Sequence, residues 1–283
     1  MIGYPLNSYS YRQTMTHTIL QVTGSCRDAG QPRANGLLMT ATLVPPPNVV
    51  ARYNPKDRLD DYLGALNYYL ALPGSAIDRI LFIDNSGSDI SPLAERARTH
   101  PHDKIVEFIS FPGNDEAAQR GKAHGEFSLM DYGLAHSTVF EAEDMIWKTT
   151  GRLKFLNLPE MIRQSARLRF DILCDLHDVP WLGSGMWTRH ENMDLRVFAF
   201  RRRAYETVFR DVWLKYVGNL DARDLYLHMR KKHGDIRIHP RFPMQAQLQG
   251  ISGRHQTDYG GIVQSSKDAV RGGLRRVVPW LWF

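Results

Sequence analysis

Short apolar segments alternate with amphipathic segments along the first half of the chain. An apolar and β-branched run from Gly36 to Val44 ends at three prolines and predicts a buried strand. Apolar residues at helical spacing predict a helix from Asp57 to Leu72. Further strands are predicted at 80–83 and 104–111, with a short helix over 92–98 between them. This alternation predicts a parallel sheet with helices on its faces, the pattern of a Rossmann-like half.

The later part of the chain is less regular. An amphipathic segment ending at His136 predicts a helix, and the apolar run from Asp144 to Lys148 predicts the next strand. Beyond it we predict a strand at 194–200, a helix at 205–216 and another helix that starts at Asp221. These elements belong to the same α/β class as the first half.

Composition and charge limit the classes of protein to which the chain can belong. Of its 283 residues, 43% are hydrophobic and 23% are charged, which is typical of a soluble globular protein. The formal net charge of +6 suits an anionic ligand or a membrane surface but falls short of a nucleic-acid-binding protein. We therefore expect no nucleic-acid partner.

The cysteines and the apolar runs bear on the cellular compartment. Cys26 and Cys174 stand far apart and outside any metal-binding spacing, so we expect neither a disulfide framework nor a zinc site. Residues 1–25 lack the basic and apolar regions of a signal peptide, and no apolar run reaches the roughly 18 residues of a membrane span. These features predict a cytoplasmic location.

A polar turn follows the strand predicted at 80–83. It contains Asp84, Asn85 and Ser86. Because open parallel sheets bind ligands at the carboxyl ends of their strands, the turn is a candidate ligand site. An ordinary solvated turn is the alternative interpretation, since these residue types favour turns wherever they occur.

Two further glycine-containing segments carry basic residues. The first contains Lys122, Gly125 and Glu126 before a helix, and the second contains Lys148, Thr149, Thr150, Gly151 and Arg152 at the end of a strand. Basic side chains and exposed backbone N–H groups are what a phosphate requires. The P-loop motif and the G-x-G-x-x-G motif do not occur in the sequence, so neither of those nucleotide-binding classes applies.

In their order along the chain, these segments resemble the GT-A glycosyltransferases, specifically bacterial enzymes that build lipopolysaccharide, capsule and other surface polysaccharides. The turn at 83–88 is similar to the strand-end turn whose aspartate binds the nucleotide base in that superfamily. The segment at 121–126 is similar to a K-G-x-G-E stretch of some of these transferases, and the segment at 146–153 to a K-x-T-G-R-Y stretch. The resemblance spans roughly residues 37–259.

The resemblance implies a GT-A-like α/β fold, with a Rossmann-type, mostly parallel sheet, helices on both faces and an acceptor-side C-terminal half. It divides the chain into a polar N-terminal extension (1–35), a nucleotide-sugar-binding half (36–155), an acceptor and catalytic half of the same domain (156–260) and a basic aromatic tail (261–283). The polar residues of the three segments named above would bind the donor, with Asp84 at the base or ribose.

The sequence departs from the family in one respect, because it contains no Asp-x-Asp motif. In GT-A enzymes that motif holds the divalent ion that neutralises the departing nucleoside diphosphate. We therefore predict an enzyme without a metal or another cofactor, in which Lys148 and Arg152 stabilise the leaving phosphate. A monophosphate leaving group, as in CMP-sugars, is a second explanation of the missing motif.

An inverting transfer needs a carboxylate that takes the proton from the acceptor hydroxyl. Asp224 resembles an acidic residue that precedes x-L-Y in related sequences and is the candidate base, with Asp221 and Glu191 as alternatives. For both aspartates, complementation of a helix dipole is the competing interpretation.

Four other residues are candidates for the acceptor side or a lid. Trp187 would stack on a sugar ring and Asp194 would hold acceptor hydroxyls, while Arg254 and His255 stand in a polar, glycine-rich loop that could close over the donor. The tail at 270–283 combines arginines with tryptophans, which suits either an anionic membrane surface or a segment packed on the protein's own core.

The sequence thus predicts a glycosyltransferase that moves a sugar from a nucleotide-sugar to a saccharide or lipid-linked acceptor, at the inner face of the cytoplasmic membrane. A non-catalytic partner that binds nucleotide-sugar or glycan is the main alternative, because the Asp-x-Asp motif is missing. An S-adenosylmethionine-dependent methyltransferase is a more distant one, since the first strand ends in prolines and not in the glycine loop of that class.

Overall fold

The computed structural model describes most of the chain. The described residues are 17–24, 34–115, 120–179, 190–216, 220–253, 258–261, 271–274 and 277. Their strands are β1 (Thr18–Thr23), β2 (Asn35–Ala41), β3 (Ile77–Asp84), β4 (Ile105–Ser110), β5 (Met145–Thr150), β6 (Lys154–Phe155), β7 (Ile172–Leu173), β8 (Leu176–Val179), β9 (His190–Met193), β10 (Val197–Arg201), β11 (Ile238–His239) and β12 (Leu248–Gln249). Their helices are α1 (Pro55–Leu70), α2 (Ser91–Thr99), α3 (Lys122–His136), α4 (Leu158–Ser165), α5 (Arg202–Val208) and α6 (Ala222–Met229), with a 3-10 turn at Val212–Leu214.

Eight of these strands form the central sheet, in the order β1-β4-β3-β2-β5-β10-β7-β11. Its middle block, β4-β3-β2-β5, is parallel throughout. Antiparallel strands flank the block on each side, β1 beside β4 and β10 beside β5. β7 then pairs antiparallel to β10, and β11 pairs parallel to β7. The prediction of an α/β fold with a mostly parallel sheet is confirmed.

Strand β3 explains why helices cover both faces of the sheet. All eight of its residues are buried. Ile80 and Phe82 pack into the core that α1 and α2 share, whereas Leu81 and Ile83 pack into the core on the side of α3 and α5. Because successive side chains of a strand point to opposite faces, one apolar run supplies both cores.

The residues that flank helix α1 determine where it begins and ends. The Asn54 side chain accepts a hydrogen bond from the Lys56 backbone N–H at 2.9 Å, and Pro55 occupies the first helical position. The helix ends at Leu70, shortly before Pro73, which cannot continue it. The helix predicted at 57–72 therefore exists with both ends shifted by two residues.

Two parts of the fold differ from the pattern-based prediction. Residues Thr18–Thr23 form an edge strand in which only Val22 is buried, so its sequence lacks the apolar alternation that signals a strand. The helix predicted at 205–216 is instead α5 followed by a 3-10 turn. Asp211 interrupts it with a left-handed backbone (φ 57°), which an α-helix does not tolerate.

Among the described residues, no helix combines the length and the apolar character needed to cross a membrane.

Candidate functional site

The parallel strands end at one edge of the sheet, and many of the predicted donor residues lie there. β2 ends at Ala41, β3 at Asp84, β4 at Ser110 and β5 at Thr150. Helix α3 reaches the same edge, because its Glu126 accepts a hydrogen bond from Thr40 of β2. In open parallel sheets this is the edge at which ligands bind.

Asp84 lies at this edge with its carboxylate turned into the protein. The residue has no exposed surface. Its carboxylate accepts hydrogen bonds from the backbone N–H groups of Leu43 (2.7 Å) and Ser86 (3.0 Å) and from the Ser110 hydroxyl (3.1 Å). Burial raises the pKa of Asp84, although these donors oppose the rise. The carboxylate therefore holds together the loops that follow β2, β3 and β4.

Asn85 and Ser86 connect the same turn to the loop after β2. The Asn85 side-chain oxygen accepts a hydrogen bond from the Thr42 hydroxyl at 2.7 Å. The Ser86 hydroxyl donates to Asp84 and accepts from the Val44 N–H at 3.1 Å. Ser86 is partly exposed, whereas Asp84 and Asn85 are buried, so among these three residues Ser86 is the one that a ligand can reach.

A second group of side chains lies beside the ends of β2 and β5. We name it the charged cleft, and it consists of Lys122, Glu126, Arg152, Asp194 and Arg196. The charge of Lys122 interacts with those of all four other members. The Lys122 side chain is exposed, and yet desolvation by the surrounding protein lowers its pKa. An exposed lysine is thus surrounded by four other charged side chains.

The floor of the charged cleft is an ion pair between Glu126 and Lys148. The Lys148 side chain is completely buried and also donates a hydrogen bond to the Leu195 carbonyl at 2.5 Å. Glu126 accepts a hydrogen bond from the Thr40 hydroxyl at 2.6 Å. Burial would raise the pKa of Glu126, but the ammonium groups of Lys148 and Lys122 outweigh it and hold the pKa below its ordinary value. Glu126 is therefore a carboxylate.

Asp194 and Arg196 form the second ion pair of the cleft. The Arg196 guanidinium donates to both oxygens of Asp194, with Nη2 at 2.6 Å and Nε at 2.9 Å. Burial opposes the charge on Asp194, but Arg196 overcomes this and holds the Asp194 pKa far below its usual range. The other face of the guanidinium lies over the Tyr259 ring at 5.1 Å. Asp194 and Arg196 are thus fixed and charged.

The two remaining cations of the cleft have no carboxylate partner. Among the described residues, Lys122 donates no hydrogen bond and forms no ion pair within 4.0 Å. Arg152 donates through Nε to the Ile251 carbonyl at 2.9 Å, and Gly253 lies against the same guanidinium. With Glu126 balanced by Lys148 and Asp194 by Arg196, these six described side chains together carry an excess of two positive charges.

Four other predicted donor residues support the cleft without facing it. Thr149, Thr150, Gly151 and Gly125 are all buried. Gly151 donates its N–H to the Thr40 carbonyl at 2.8 Å, and a Cβ atom at this position would lie 2.9 Å from the same oxygen. Only a glycine therefore fits this close contact between β2 and the turn after β5.

Asp221 and Asp224 cap the N-terminus of α6. The Asp221 carboxylate accepts hydrogen bonds from the backbone N–H groups of Arg223 (2.8 Å) and Asp224 (2.9 Å). The Asp224 carboxylate accepts one from the Asp221 N–H at 3.1 Å. This is a reciprocal capping box, so both aspartates have a structural role at the helix start. Each uses one oxygen for it, Oδ1 of Asp221 and Oδ2 of Asp224.

Glu191 lies next to this helix start. Its carboxylate forms an ion pair with Arg223 at 3.1 Å, which ties β9 to α6. On the paired strand β8, Asp178 stands opposite Glu191 and accepts a hydrogen bond from the Tyr226 hydroxyl at 2.8 Å. The structure thus brings Asp221, Asp224 and Glu191 together at α6, and groups Asp194 with the donor residues.

Sequence reasoning missed three residues of the charged cleft and its surroundings. Thr40, Arg196 and Tyr259 all contact its carboxylates or cations. The spacing Asp194-x-Arg196 in an extended segment would have placed both side chains on one side of the chain. Thr40 and Tyr259 give no local signal, because their contacts join segments that are far apart in sequence.

In the part of the chain that the structure describes, no three His, Cys, Asp or Glu side chains are grouped so that they could hold a metal ion. Metal independence stays a prediction. Trp187, Arg254 and His255 lie outside the described residues.

The backbone of this chain is similar to that of a solved structure. No protein-family model matches the sequence, and no curated protein does. Among solved structures, the chain is similar to one titled 4-diphosphocytidyl-2C-methyl-D-erythritol synthase, with a TM-score of 0.43 and 9% identity over 83% of this chain and 97% of that one. At this level of similarity, functional inference has to come from the charges and contacts of this chain's own residues.

Proposed function

We propose that the protein is a glycosyltransferase that moves a sugar from a nucleotide-sugar to a saccharide or lipid-linked acceptor, by inversion and without a metal ion. The excess of two positive charges in the charged cleft is the observation that supports it. Lys122 and Arg152 supply this excess at the carboxyl edge of the sheet. Anionic groups of a nucleotide are the natural ligands of such a site.

In the proposed reaction, the bond between the anomeric carbon and the phosphate oxygen breaks and the phosphate leaves with the electron pair. The acceptor oxygen forms the new bond to the anomeric carbon and gives its proton to a carboxylate. Lys122 and Arg152 stabilise the negative charge that develops on the leaving phosphate. A preorganised donor of this kind contributes about 3 kcal/mol to transition-state stabilisation.

Lys148 has a different role in this proposal from the one that its position in the sequence suggests. Its ammonium group is buried under the cleft, where Glu126 and the Leu195 carbonyl hold it. Lys148 therefore positions Glu126, and Lys122 takes its place beside Arg152 as a phosphate-binding cation. The two unpaired cations match the two negative charges of the diphosphate in a nucleoside-diphosphate-sugar, whereas a CMP-sugar carries only one, so a nucleoside diphosphate is the favoured leaving group.

Asp224 remains our candidate for the general base. Its Oδ2 serves the cap of α6, and among the described residues no hydrogen bond occupies its Oδ1. Oδ1 is therefore available to an acceptor hydroxyl while the cap is kept. The base or ribose of the nucleotide would lie at the Asp84 turn, with Ser86 as the accessible contact.

A panel of ligands tests the proposed function directly. The thermal midpoint would be measured with UDP, GDP, CMP, S-adenosylmethionine and buffer alone, since a ligand at 100 times its Kd adds about 2.7 kcal/mol to the free energy of unfolding. We expect a nucleoside diphosphate to raise the midpoint most. A rise with S-adenosylmethionine alone would contradict the proposal and favour a methyltransferase.

A measurement of sugar release or transfer distinguishes a glycosyltransferase from a non-catalytic nucleotide-sugar-binding partner. Hydrolysis or transfer of the sugar would be measured with the nucleotide-sugar whose nucleotide binds best. Binding without sugar release, with saccharide and lipid-linked acceptors supplied, would favour a non-catalytic nucleotide-sugar-binding partner.

A further inference from the structure

A second pocket lies at the far end of α6, apart from the charged cleft. It has a volume of about 450 Å³ and lies between the residues that follow α6 and the strands β8 and β11. It shares no lining residue with the charged cleft. Whatever binds here is a ligand additional to the nucleotide of the proposed function.

The floor of this pocket is apolar. Leu176 of β8, Met229 of α6 and Ile238 of β11 line it, together with Ile236 and Pro240. Leu176 and Met229 are buried, whereas Ile236, Ile238 and Pro240 are partly exposed. The apolar surface that a ligand can reach therefore comes from Ile236, Ile238 and Pro240, and it favours a ligand with apolar atoms of its own.

The rim of the pocket is basic. Arg230, Lys231, Lys232 and His233 follow one another along it, and the first three are exposed. No acidic side chain is among the described residues that line the pocket. Asp235 belongs to the same loop but does not line it.

Complementation of the α6 dipole explains only part of this charge. A helix C-terminus carries about half a negative charge, which a single cation satisfies. Here Lys231, Lys232 and His233 follow Arg230 directly along the rim. The pKa of His228 is lowered by burial first, and the nearby His233, Lys215 and Lys231 add to that effect. Lys231 and Lys232 thus supply more positive charge at this end of α6 than the helix terminus requires.

We propose that this pocket binds a phosphate group carried on an apolar chain. The phosphate would contact Lys231 and Lys232 on the rim, and the chain would lie on the floor formed by Met229, Ile236 and Ile238. Such a molecule has two sources, the headgroup of an anionic phospholipid in a membrane and a single lipid phosphate bound as a monomer. Both present the same chemistry to the pocket.

Three soluble probes test for the pocket itself. Titration calorimetry at low salt would compare hexyl phosphate with inorganic phosphate and with hexanol. We expect hexyl phosphate to bind about tenfold or more tightly than inorganic phosphate or hexanol, because only hexyl phosphate contacts both the rim and the floor. Equal affinity for hexyl phosphate and inorganic phosphate would overturn the proposal, as would no binding at all.

A charge-matched pair of variants locates the binding. The double variant Lys231→Ala/Lys232→Ala should bind hexyl phosphate about fivefold or more weakly. The control Lys56→Ala/Arg96→Ala removes two exposed cations elsewhere on the surface and should leave the affinity unchanged. Equal weakening in both variants would mean non-specific attraction and would overturn the proposal. Circular dichroism would verify that each variant is folded.

Vesicles distinguish the two sources of the phosphate. Sedimentation would use phosphatidylcholine vesicles with and without phosphatidylglycerol. Binding to the anionic vesicles that the Lys231/Lys232 variant loses supports the proposal with a membrane as the source. Binding of hexyl phosphate without binding to vesicles supports it with a single lipid phosphate as the source.

A competition experiment between hexyl phosphate and nucleotide distinguishes the pocket at the end of α6 from the charged cleft. Because the two pockets share no residue, hexyl phosphate should bind equally well in the presence of saturating nucleotide. Displacement by the nucleotide would place the alkyl phosphate in the charged cleft and overturn the inference. Failure of nucleotides to bind at all would overturn only the proposed function.

Discussion

Glu126 and Lys148 form an ion pair that joins helix α3 to strand β5 beneath the charged cleft. The pair removes from solvent the lysine that the sequence presents as a phosphate ligand. It also leaves Lys122, one turn earlier on α3, as the exposed cation of the same helix. The electrostatics of the cleft thus depend on which lysine Glu126 neutralises.

Replacing Glu126 with glutamine should destabilise the protein strongly. Glutamine keeps an acceptor for the Thr40 hydroxyl, but it leaves the ammonium group of Lys148 buried without a counter-charge. Breaking a buried pair from one side costs about 3–5 kcal/mol. Urea unfolding would measure the loss. Glu160→Gln is the control, because Glu160 forms an exposed pair with Arg163, and it should change little. Equal free energies of unfolding for the two variants would show that the ion pair between Glu126 and Lys148 contributes little to stability.

Lys122→Gln should weaken nucleotide binding and leave the fold intact. The Lys122 ammonium has no hydrogen bond or ion pair among the described residues, so removing it breaks no direct contact, and Lys148 still neutralises Glu126. We expect kcat/KM for sugar transfer to fall about 10²-fold, with an unchanged or slightly higher thermal midpoint. Lys56→Gln, at an exposed position of α1, is the control. Wild-type affinity for the diphosphate in Lys122→Gln would exclude this lysine from the site.

Sugar transfer should proceed in the presence of EDTA. The missing Asp-x-Asp motif and the two unpaired cations motivate this expectation, since Lys122 and Arg152 would supply the charge that a divalent ion supplies elsewhere. The rate would be measured with EDTA, and again after adding magnesium or manganese in excess of the chelator. Complete loss with EDTA and recovery with either ion would contradict the prediction.

Asp84→Ala should lower stability as well as nucleotide affinity. The sequence suggested an aspartate in a polar turn that a ligand can reach. The carboxylate is in fact buried and accepts bonds from Leu43, Ser86 and Ser110. Leaving these donors unsatisfied should cost about 1–3 kcal/mol each before relaxation. A thermal midpoint equal to that of the wild type would contradict this structural role.

Ser86→Ala separates the structural role of Asp84 from ligand binding. Ser86 is partly exposed, and its hydroxyl bonds to Asp84 and to the Val44 N–H. If the turn binds nucleotide, Ser86→Ala should weaken binding with a smaller effect on stability than Asp84→Ala. Nucleotide affinity that stays unchanged in both folded variants would remove the turn from the donor site.

The parallel core was predictable because its strands are continuous apolar runs, and β3, buried along its whole length, is the clearest case. Sequence also indicated that Lys122, Glu126 and Arg152 stand at the ends of elements. It could not indicate that Lys148 turns inward, because a strand residue faces one side or the other according to its register with β2 and β10.

The acceptor side was less predictable for a different reason. Its strands β7 and β11 have two residues each, too few for a periodic pattern. The hydrogen bond between Tyr226 and Asp178 joins segments 48 residues apart, so no local sequence motif predicts it. The helix start at Asp221, by contrast, was indicated locally, with dipole complementation as the structural alternative, and the structure shows a capping box of Asp221 and Asp224 there.

Asp224→Asn tests the general base against the helix cap. Asparagine can still accept the hydrogen bond from the Asp221 N–H, so a purely structural role predicts little change in either stability or turnover. A catalytic role predicts a fall in turnover of about 10²-fold or more with nucleotide binding intact, because an amide cannot take the acceptor proton. Asp221→Asn and Glu191→Gln are the matched comparisons at the same helix start. If one of these is inactive while Asp224→Asn retains activity, the base is that residue. If all three stay active, the reaction needs no carboxylate here, and a retaining mechanism becomes the better explanation.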